Sequence, residues 1–317
     1  MEDRMLGKSG LKVTRVGLGC NNFGWRMEFD ASRKVIHKAL DLGITLFDTA
    51  DIYGRGASEE MIGQCLGVRR KEVVLATKFG QKMDDAGTLR GGSRRYIMAA
   101  AEASLKRLKT DWIDLYQIHC PDPATPIEET LRALDDLVRQ GKVRYVGCSK
   151  FAAWQLVEAQ WTSRHLNLNA FISCQDEYSL LKRGLETSLA PAMTAYGVGL
   201  IPFSPLANGL LTGKYRRDAP LPAGARITDN KKLLERWLSE GNWATIGRLD
   251  EFCKQRGHSM LELAFSWLAS RPSVASIIAG ASTPGQLALN ARAADWQLLP
   301  DDIAEIDRLT LAGEPAG

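Results

Sequence analysis

Three apolar runs in this 317-residue chain each end on a side chain that does not belong in a core. Ile44 to Phe47 stops at Asp48, Val73 to Thr77 at Lys78, and Ile113 to Ile118 at His119. Tyr53 lies a short loop beyond Asp48. An acid, a phenol, an ammonium and an imidazole at neighbouring strand tips share a chemistry. A tyrosine ionises near ~10 and is a poor acid at neutral pH. A lysine cation within ~4–6 Å favours the phenolate. Asp48 would hold Lys78 protonated, and His119 would hydrogen-bond and orient a carbonyl oxygen. The set suits protonation of an oxygen while a hydride reaches the adjacent carbon. Singly, each residue has a plainer reading: a structural Asp–Lys salt bridge, a packing tyrosine, a satisfied histidine. Their convergence on strand tips favours catalysis. His37, His165 and His258 fall on helices or turns and read as structural.

Runs of this length, rich in β-branched residues, read as strands buried on both faces. Parallel α/β enzymes keep their chemistry at the C-terminal tips of such strands. Leu11–Val13 and Arg15–Leu18 read as a short hairpin or the entry to a first barrel strand. Strands are expected at 44–48, 73–78, 112–119, 143–149, 172–177, 199–202 and 275–279. Helices are expected between them, at 31–42, from Ser58 as a capping residue, and at 93–108, 127–140, 152–160 and 185–195. Further helices are expected at 242–255 and 260–269, then at 284–291 and 301–311. About eight strand–helix units without a composition break suggest closure. The fold class is therefore α/β: a (β/α)8 TIM barrel of parallel strands over residues 1–317, taken as one domain. A short N-terminal hairpin and extra helices after strand 7 and at the C-terminus complete it. The long segment from Ser204 to about Leu233 is a candidate lid.

Composition is that of a soluble globular protein, 45% hydrophobic and 25% charged, with formal net charge +4. The densest basic cluster, Arg69-Arg70-Lys71, reads as a solvated turn, so neither nucleic acid nor a membrane surface is expected as a partner. No apolar stretch reaches the ~20 residues of a membrane helix, and Met1-Glu2-Asp3-Arg4 has no apolar signal region. Cys20, Cys65, Cys120, Cys148, Cys174 and Cys253 are too scattered for a zinc site or a disulfide scaffold. No metal and a cytoplasmic setting are the expectations. Gly17-Leu18-Gly19-Cys20-Asn21-Asn22 begins like a dinucleotide fingerprint but lacks the third glycine.

Leu46-Phe47-Asp48-Thr49-Ala50-Asp51-Ile52-Tyr53-Gly54 resembles the signature of the aldo-keto reductase superfamily, and Lys78 and His119 match its other catalytic positions. The resemblance runs from Gly17 to Ile306, and the long second half resembles the bacterial branch related to potassium-channel β subunits more than the shorter mammalian reductases. It implies a barrel that binds NADP(H) without a Rossmann fold. By that resemblance Tyr53 is the general acid, Lys78 and Asp48 tune it, and His119 places the carbonyl. Gly147-Cys148-Ser149-Lys150-Phe151 resembles the segment that holds the nicotinamide carboxamide, with Ser149 and Lys150 at the ligand positions. The family usually has asparagine where Lys150 stands. Gln175 would complete this site and Tyr178 would stack on the nicotinamide. The stretch from Pro202 to Lys214 resembles the pyrophosphate loop, through Ser204, Pro205, Leu206, Gly209 and Lys214. Gly280, Ser282, Thr283, Gln286 and Asn290 match the adenosine-phosphate segment. Many members have arginine where Gln286 stands, so NAD(H) is also admitted.

The activity implied is reduction of a small-molecule aldehyde or ketone to an alcohol by a cytoplasmic monomer or homo-oligomer. Phe23, Trp25 and Phe79 are candidate liners of the substrate pocket. One alternative is an accessory or redox-sensing subunit that keeps the cofactor and turns over slowly, for which an exposed apolar helix face would speak. Another is an aldolase with Lys78 as Schiff-base nucleophile, against which Asp48 speaks.

Overall fold

A computed structural model describes residues 2–311. The chain opens with an antiparallel ribbon, β1 (Asp3–Met5) paired to β2 (Lys12–Thr14). Eight parallel strands follow: β3 (Val16–Gly19), β4 (Leu46–Asp48), β5 (Val74–Phe79), β6 (Ile113–Ile118), β7 (Val143–Ser149), β8 (Ser173–Glu177), β9 (Gly199–Phe203) and β10 (Ile277–Ala279). Their order is 10-3-4-5-6-7-8-9. A bridge between Leu200 and Val274 brings β9 against the approach to β10 and closes the ring. Leu200 N donates to Ser273 O at 2.7 Å and Ala275 N to Leu200 O at 2.9 Å. The structure is thus the (β/α)8 barrel expected.

The helices are α1 (Phe29–Asp41), α2 (Ala57–Leu66), α3 (Arg94–Leu108), α4 (Ile127–Arg139), α5 (Ala153–His165) and α6 (Leu189–Tyr196). Three more, α7 (Lys231–Trp237), α8 (Glu240–Arg256) and α9 (Met260–Ala269), separate β9 from β10, the seventh and eighth barrel strands. The chain then adds α10 (Pro284–Arg292) and α11 (Pro300–Leu311). Their starts follow from side chains. Ser93 accepts from Tyr96 N at the head of α3, and Ser259 and Glu262 form a reciprocal capping box on α9. In α4, Leu131, Leu134 and Leu137 recur at helical spacing and are all buried against the barrel wall.

The barrel interior is filled by Leu46, Ala76, Leu115, Ile201, Ala275 and Ile278, joined by Leu6 and Val13 from the ribbon. The ribbon therefore plugs the N-terminal end. A Cβ on Gly7, at φ +60°, would lie 2.5 Å from Gly197 O and 2.7 Å from Ile172 O, so only glycine permits this approach. With that end sealed, the open end is the ring of C-terminal strand tips.

Three local readings are corrected. The hairpin pairs residues 3–5 with 12–14, and Val16 onward already belongs to the barrel; β1 is too short and polar to show a strand pattern. Arg70 is not a solvated turn residue but 7% exposed, donating to Asp114 Oδ2 at 2.8 Å and to the carbonyls of Val73 and Trp112. Ser58 does not cap α2, whose N-cap is Gly56 in the left-handed region. The Ser58 hydroxyl is buried and donates to Cys20 O at 3.0 Å, with Thr49 Oγ1 at 2.8 Å.

Among the described residues, no helix is long and apolar enough to cross a membrane. Among the same residues, no cluster of three or more His, Cys, Asp or Glu side chains is suited to a metal ion, and all six cysteines are free thiols.

Candidate active site

Register aligns the chemistry. Asp48 on β4 pairs with Ala76 on β5, two residues short of Lys78, and Ile118 on β6 pairs with Phe79. The three strand-tip residues thus rise from adjacent strands. Lys78 Nζ donates to Asp48 Oδ2 at 2.7 Å and to Thr49 O at 2.7 Å, and is fully buried. Asp48 Oδ1 accepts from Gln175 Nε2 at 2.8 Å. The loop carrying Tyr53 is pinned by its backbone: Asp51 N donates to Lys78 O at 3.0 Å and Tyr53 N to Ala50 O at 3.1 Å. It turns sharply through Gly54, Arg55 and Gly56, all at positive φ. Lys78 Nζ lies 5.0 Å from the Tyr53 ring centroid, and the Tyr53 ring meets His119 edge-on at 5.8 Å and 84°. The four residues do meet at one mouth.

Electrostatics assigns their protonation states. Burial pushes the Lys78 ammonium down, but Asp48 and the Tyr53 phenol together outweigh it and hold its pKa above the ordinary value. Burial raises the Tyr53 phenol; Lys78 is the largest opposing influence. The expectation of a net lowering is therefore not met: Lys78 counteracts desolvation rather than reversing it. His119 is depressed to about 2 by burial and by the cations Lys78 and Lys150, so its imidazole is neutral throughout the working range. Its Nδ1 is sealed with no partner among the described residues, which leaves Nε2–H to donate into the mouth.

Other expected ligands surround this cluster. Ser149 ends β7, is 1% exposed, and its Oγ has no partner among the described residues. Lys150 follows at φ +60°, its N–H donating to Gln175 O at 3.0 Å. A lysine takes up this left-handed geometry at a cost that asparagine bears more easily. Ser204, Ala207, Asn208 and Gly209 all have positive φ after β9, with Pro205 buried and Leu206 half-buried between them. Lys214 approaches Gly209, and its ammonium is pushed down by burial and by Arg226. Gly280 sits close to Asn22. Thr283 caps α10 by accepting from Gln286 N at 3.1 Å, Gln286 Oε1 accepts from Ser282 N at 2.8 Å, and Asn290 is buried.

Two groups of expectations need correction. Phe23 and Phe79 are fully buried, Phe79 packed on Tyr116 at 4.7 Å, so neither lines a pocket; strand alternation that aims Lys78 inward aims Phe79 outward. Trp25 is 64% exposed on a rim loop, under Arg26. Tyr178 is buried against Trp267 at 5.1 Å with its hydroxyl on Glu186, so its ring is already engaged on both counts. Phe203, half-buried at the tip of β9, is the aromatic available near Lys150. Arg226 was also missed. It crosses from the long segment to Asn22 Oδ1 at 2.7 Å and feels Tyr53 electrostatically. Arg236 ties the same segment to Glu177 on β8 at 2.5 Å.

With this geometry in place, comparison with known proteins decides the family. A model described as "Aldo/keto reductase family" matches residues 15–310. The chain belongs to the aldo/keto reductase family. It is 36% identical to a probable voltage-gated potassium channel subunit beta of Arabidopsis thaliana, over 93% of this chain and 92% of that one. It is 37% identical to the L-glyceraldehyde 3-phosphate reductase of Escherichia coli K12, over 99% and 94% of the two chains. It is 35% identical to the versiconal hemiacetal acetate reductase of Aspergillus parasiticus, over 97% and 96%. Family and reductase-named relatives together support an oxidoreductase acting on small-molecule carbonyls.

Proposed function

We propose that this aldo/keto reductase reduces an aldehyde or ketone to an alcohol with NADP(H), with Tyr53 as general acid. The observation that carries the reading is the half-buried Tyr53 ring beside the buried Lys78–Asp48 pair and a neutral His119 at the strand tips. The site fits a nicotinamide dinucleotide. Ser149 Oγ is a buried polar atom without a partner, and four residues from 204 to 209 turn their backbone through positive φ beside the cations Lys214 and Arg226. Ser149 and Gln175 would hold the carboxamide, the 204–214 segment the pyrophosphate, and Gly280, Ser282, Thr283, Gln286 and Asn290 the adenosine end. A bound reduced nicotinamide supplies the hydride. Gln286 offers no charge to a 2′-phosphate, so NADP(H) is preferred only modestly over NAD(H).

This chain's own residues then manage one proton. His119 donates from Nε2 to the carbonyl oxygen and fixes its orientation. Tyr53 hands its phenolic proton to the oxygen as negative charge develops, and the Lys78 ammonium stabilises the phenolate left behind. Asp48, held by Gln175 and Lys78, keeps that ammonium charged. A panel of aldehydes and ketones assayed with NADPH and with NADH tests the proposal; no consumption of either nicotinamide overturns it. An accessory role alongside turnover finds one favouring observation: Trp154 and Trp161, 66% and 55% exposed, project from α5.

A further inference from the structure

We propose that Lys150 is a specificity-determining residue, selecting carbonyl substrates that carry an anionic group, a phosphate or a carboxylate. The inference rests on the carbonyl-reductase reading above and names its substrate class. It starts from position. His119 follows β6 and Lys150 follows β7, and Ile118 pairs with Cys148 across those strands, so the two residues leave neighbouring tips. The Lys150 ammonium then reaches over the tip of β8 to lie 5.7 Å from the Phe203 ring on β9. It therefore overhangs the mouth in which His119 and Tyr53 stand.

Its ammonium forms no ion pair among the described residues, where no carboxylate comes within 4.0 Å of Lys150. Of the acids on the β8 rim, Glu177 pairs with Arg236, and Asp176, whose Oδ1 accepts Glu177 N at 2.6 Å, feels Lys150 at longer range without an ion pair. Inside the mouth, Lys78 and Asp48 cancel and the imidazole is neutral. Lys150 thus adds positive charge beside the carbonyl position, where Arg226, bonded to the neutral Asn22 Oδ1, also stands near Tyr53. Lysine offers only donors, so it does not reproduce the donor and acceptor of the asparagine amide for a carboxamide. A compact ammonium suits a phosphate or carboxylate oxygen. The residue also holds φ +60°, a conformation that costs a non-glycine side chain energy and that clusters at functional sites.

The test compares matched pairs with the intact enzyme: glyceraldehyde 3-phosphate against glyceraldehyde, and succinic semialdehyde against butanal. Cofactor affinity is followed separately by fluorescence titration. Wild type should favour the anionic member, with a preference that shrinks as salt rises. In Lys150→Met, which keeps side-chain length and backbone strain, the anionic-to-neutral ratio of kcat/KM should fall at least about tenfold. Lys150→Arg should retain the preference. Preference in the phosphate pair alone, or the carboxylate pair alone, identifies the anion. No preference in wild type, or equal losses for both members with weakened cofactor binding, overturns the inference while leaving carbonyl reduction standing. Failure to reduce any of the four overturns both.

Discussion

Two buried polar clusters flank the loop from Asp48 to Tyr53, and they resolve their charge in opposite ways. At its start, Asp48 has both oxygens committed, to Lys78 and to Gln175, and Lys78 also donates to Thr49 O. One acid faces one base, and the pairing holds the Lys78 ammonium above its ordinary pKa. Behind the loop, Asp51 and Glu59 are both buried and share a single cation, Arg107. Glu59 takes that cation at 2.6 Å and the Thr77 hydroxyl at 2.5 Å. Asp51 is left with Tyr96 Oη at 3.1 Å, and its Oδ1 has no partner among the described residues. Burial, then repulsion from Glu59, raises Asp51 to about 7. Depth alone does not decide whether a buried carboxyl is charged; the assignment of cations and donors does.

The sharpest way to break the contrast is to unbalance the first cluster. Lys78→Met leaves Asp48 buried with Gln175 alone and should cost about 3–5 kcal/mol in urea denaturation at neutral pH. A cost under about 1 kcal/mol would show that the pair is not held as an ion pair. Tyr53→Phe removes only the hydroxyl. It should reduce kcat by roughly 10²–10⁴ with cofactor affinity nearly intact. Undiminished turnover would mean the charged cluster serves structure rather than proton transfer.

The second cluster is tested by pH. Asp51 has a folded pKa above its unfolded 3.8, so the folded state keeps a proton that the unfolded chain has released. That stabilisation is complete below pH 3.8 and is lost as pH climbs to about 7. Asp51→Asn, the isostere of the protonated acid, avoids the loss. It should match wild type near pH 4.5 and exceed it by roughly 2–4 kcal/mol at pH 8. A difference that stays flat across this range would refute the proton held at Asp51.

The first cluster was legible in the sequence and the second was not, for a physical reason. Asp48, Lys78 and His119 each interrupt a β-branched run, and a run ending on a charge locates both a strand and its tip. The barrel follows from repetition of that pattern. Asp51 sits in a loop where an acid is unremarkable; its burial depends on α2 and α3 folding over it, with Tyr96 far along the chain and Glu59 on the next helix. Arg70 and Ser58 misled for the same cause, since each is a polar residue at a helix end whose partners, Asp114 and Cys20, are distant in sequence. Phe23 and Phe79 are only candidate pocket walls in the sequence because aromatic type does not reveal facing. Arg226 carries no periodic signal, being one residue in a long irregular segment.

The smallest expected effect discriminates most finely between the two clusters. Tyr96 Oη donates to Asp51 Oδ2, and that bond lowers the Asp51 pKa against the pull of burial and Glu59. Tyr96→Phe should therefore move the pH window of lost stability upward, because the carboxylate loses its one donor side chain. Near pH 5 the donor faces a neutral acid, and the cost should be about 0.5–1.5 kcal/mol. At pH 8 it faces a carboxylate, and the cost should rise toward about 1.5–3 kcal/mol. The corresponding removal of a donor from Asp48, Gln175→Leu, should cost nearly the same at both pH values, since the Lys78 ammonium stays on the other Asp48 oxygen. Equal pH dependence in the two variants would mean that the clusters do not differ in proton occupancy.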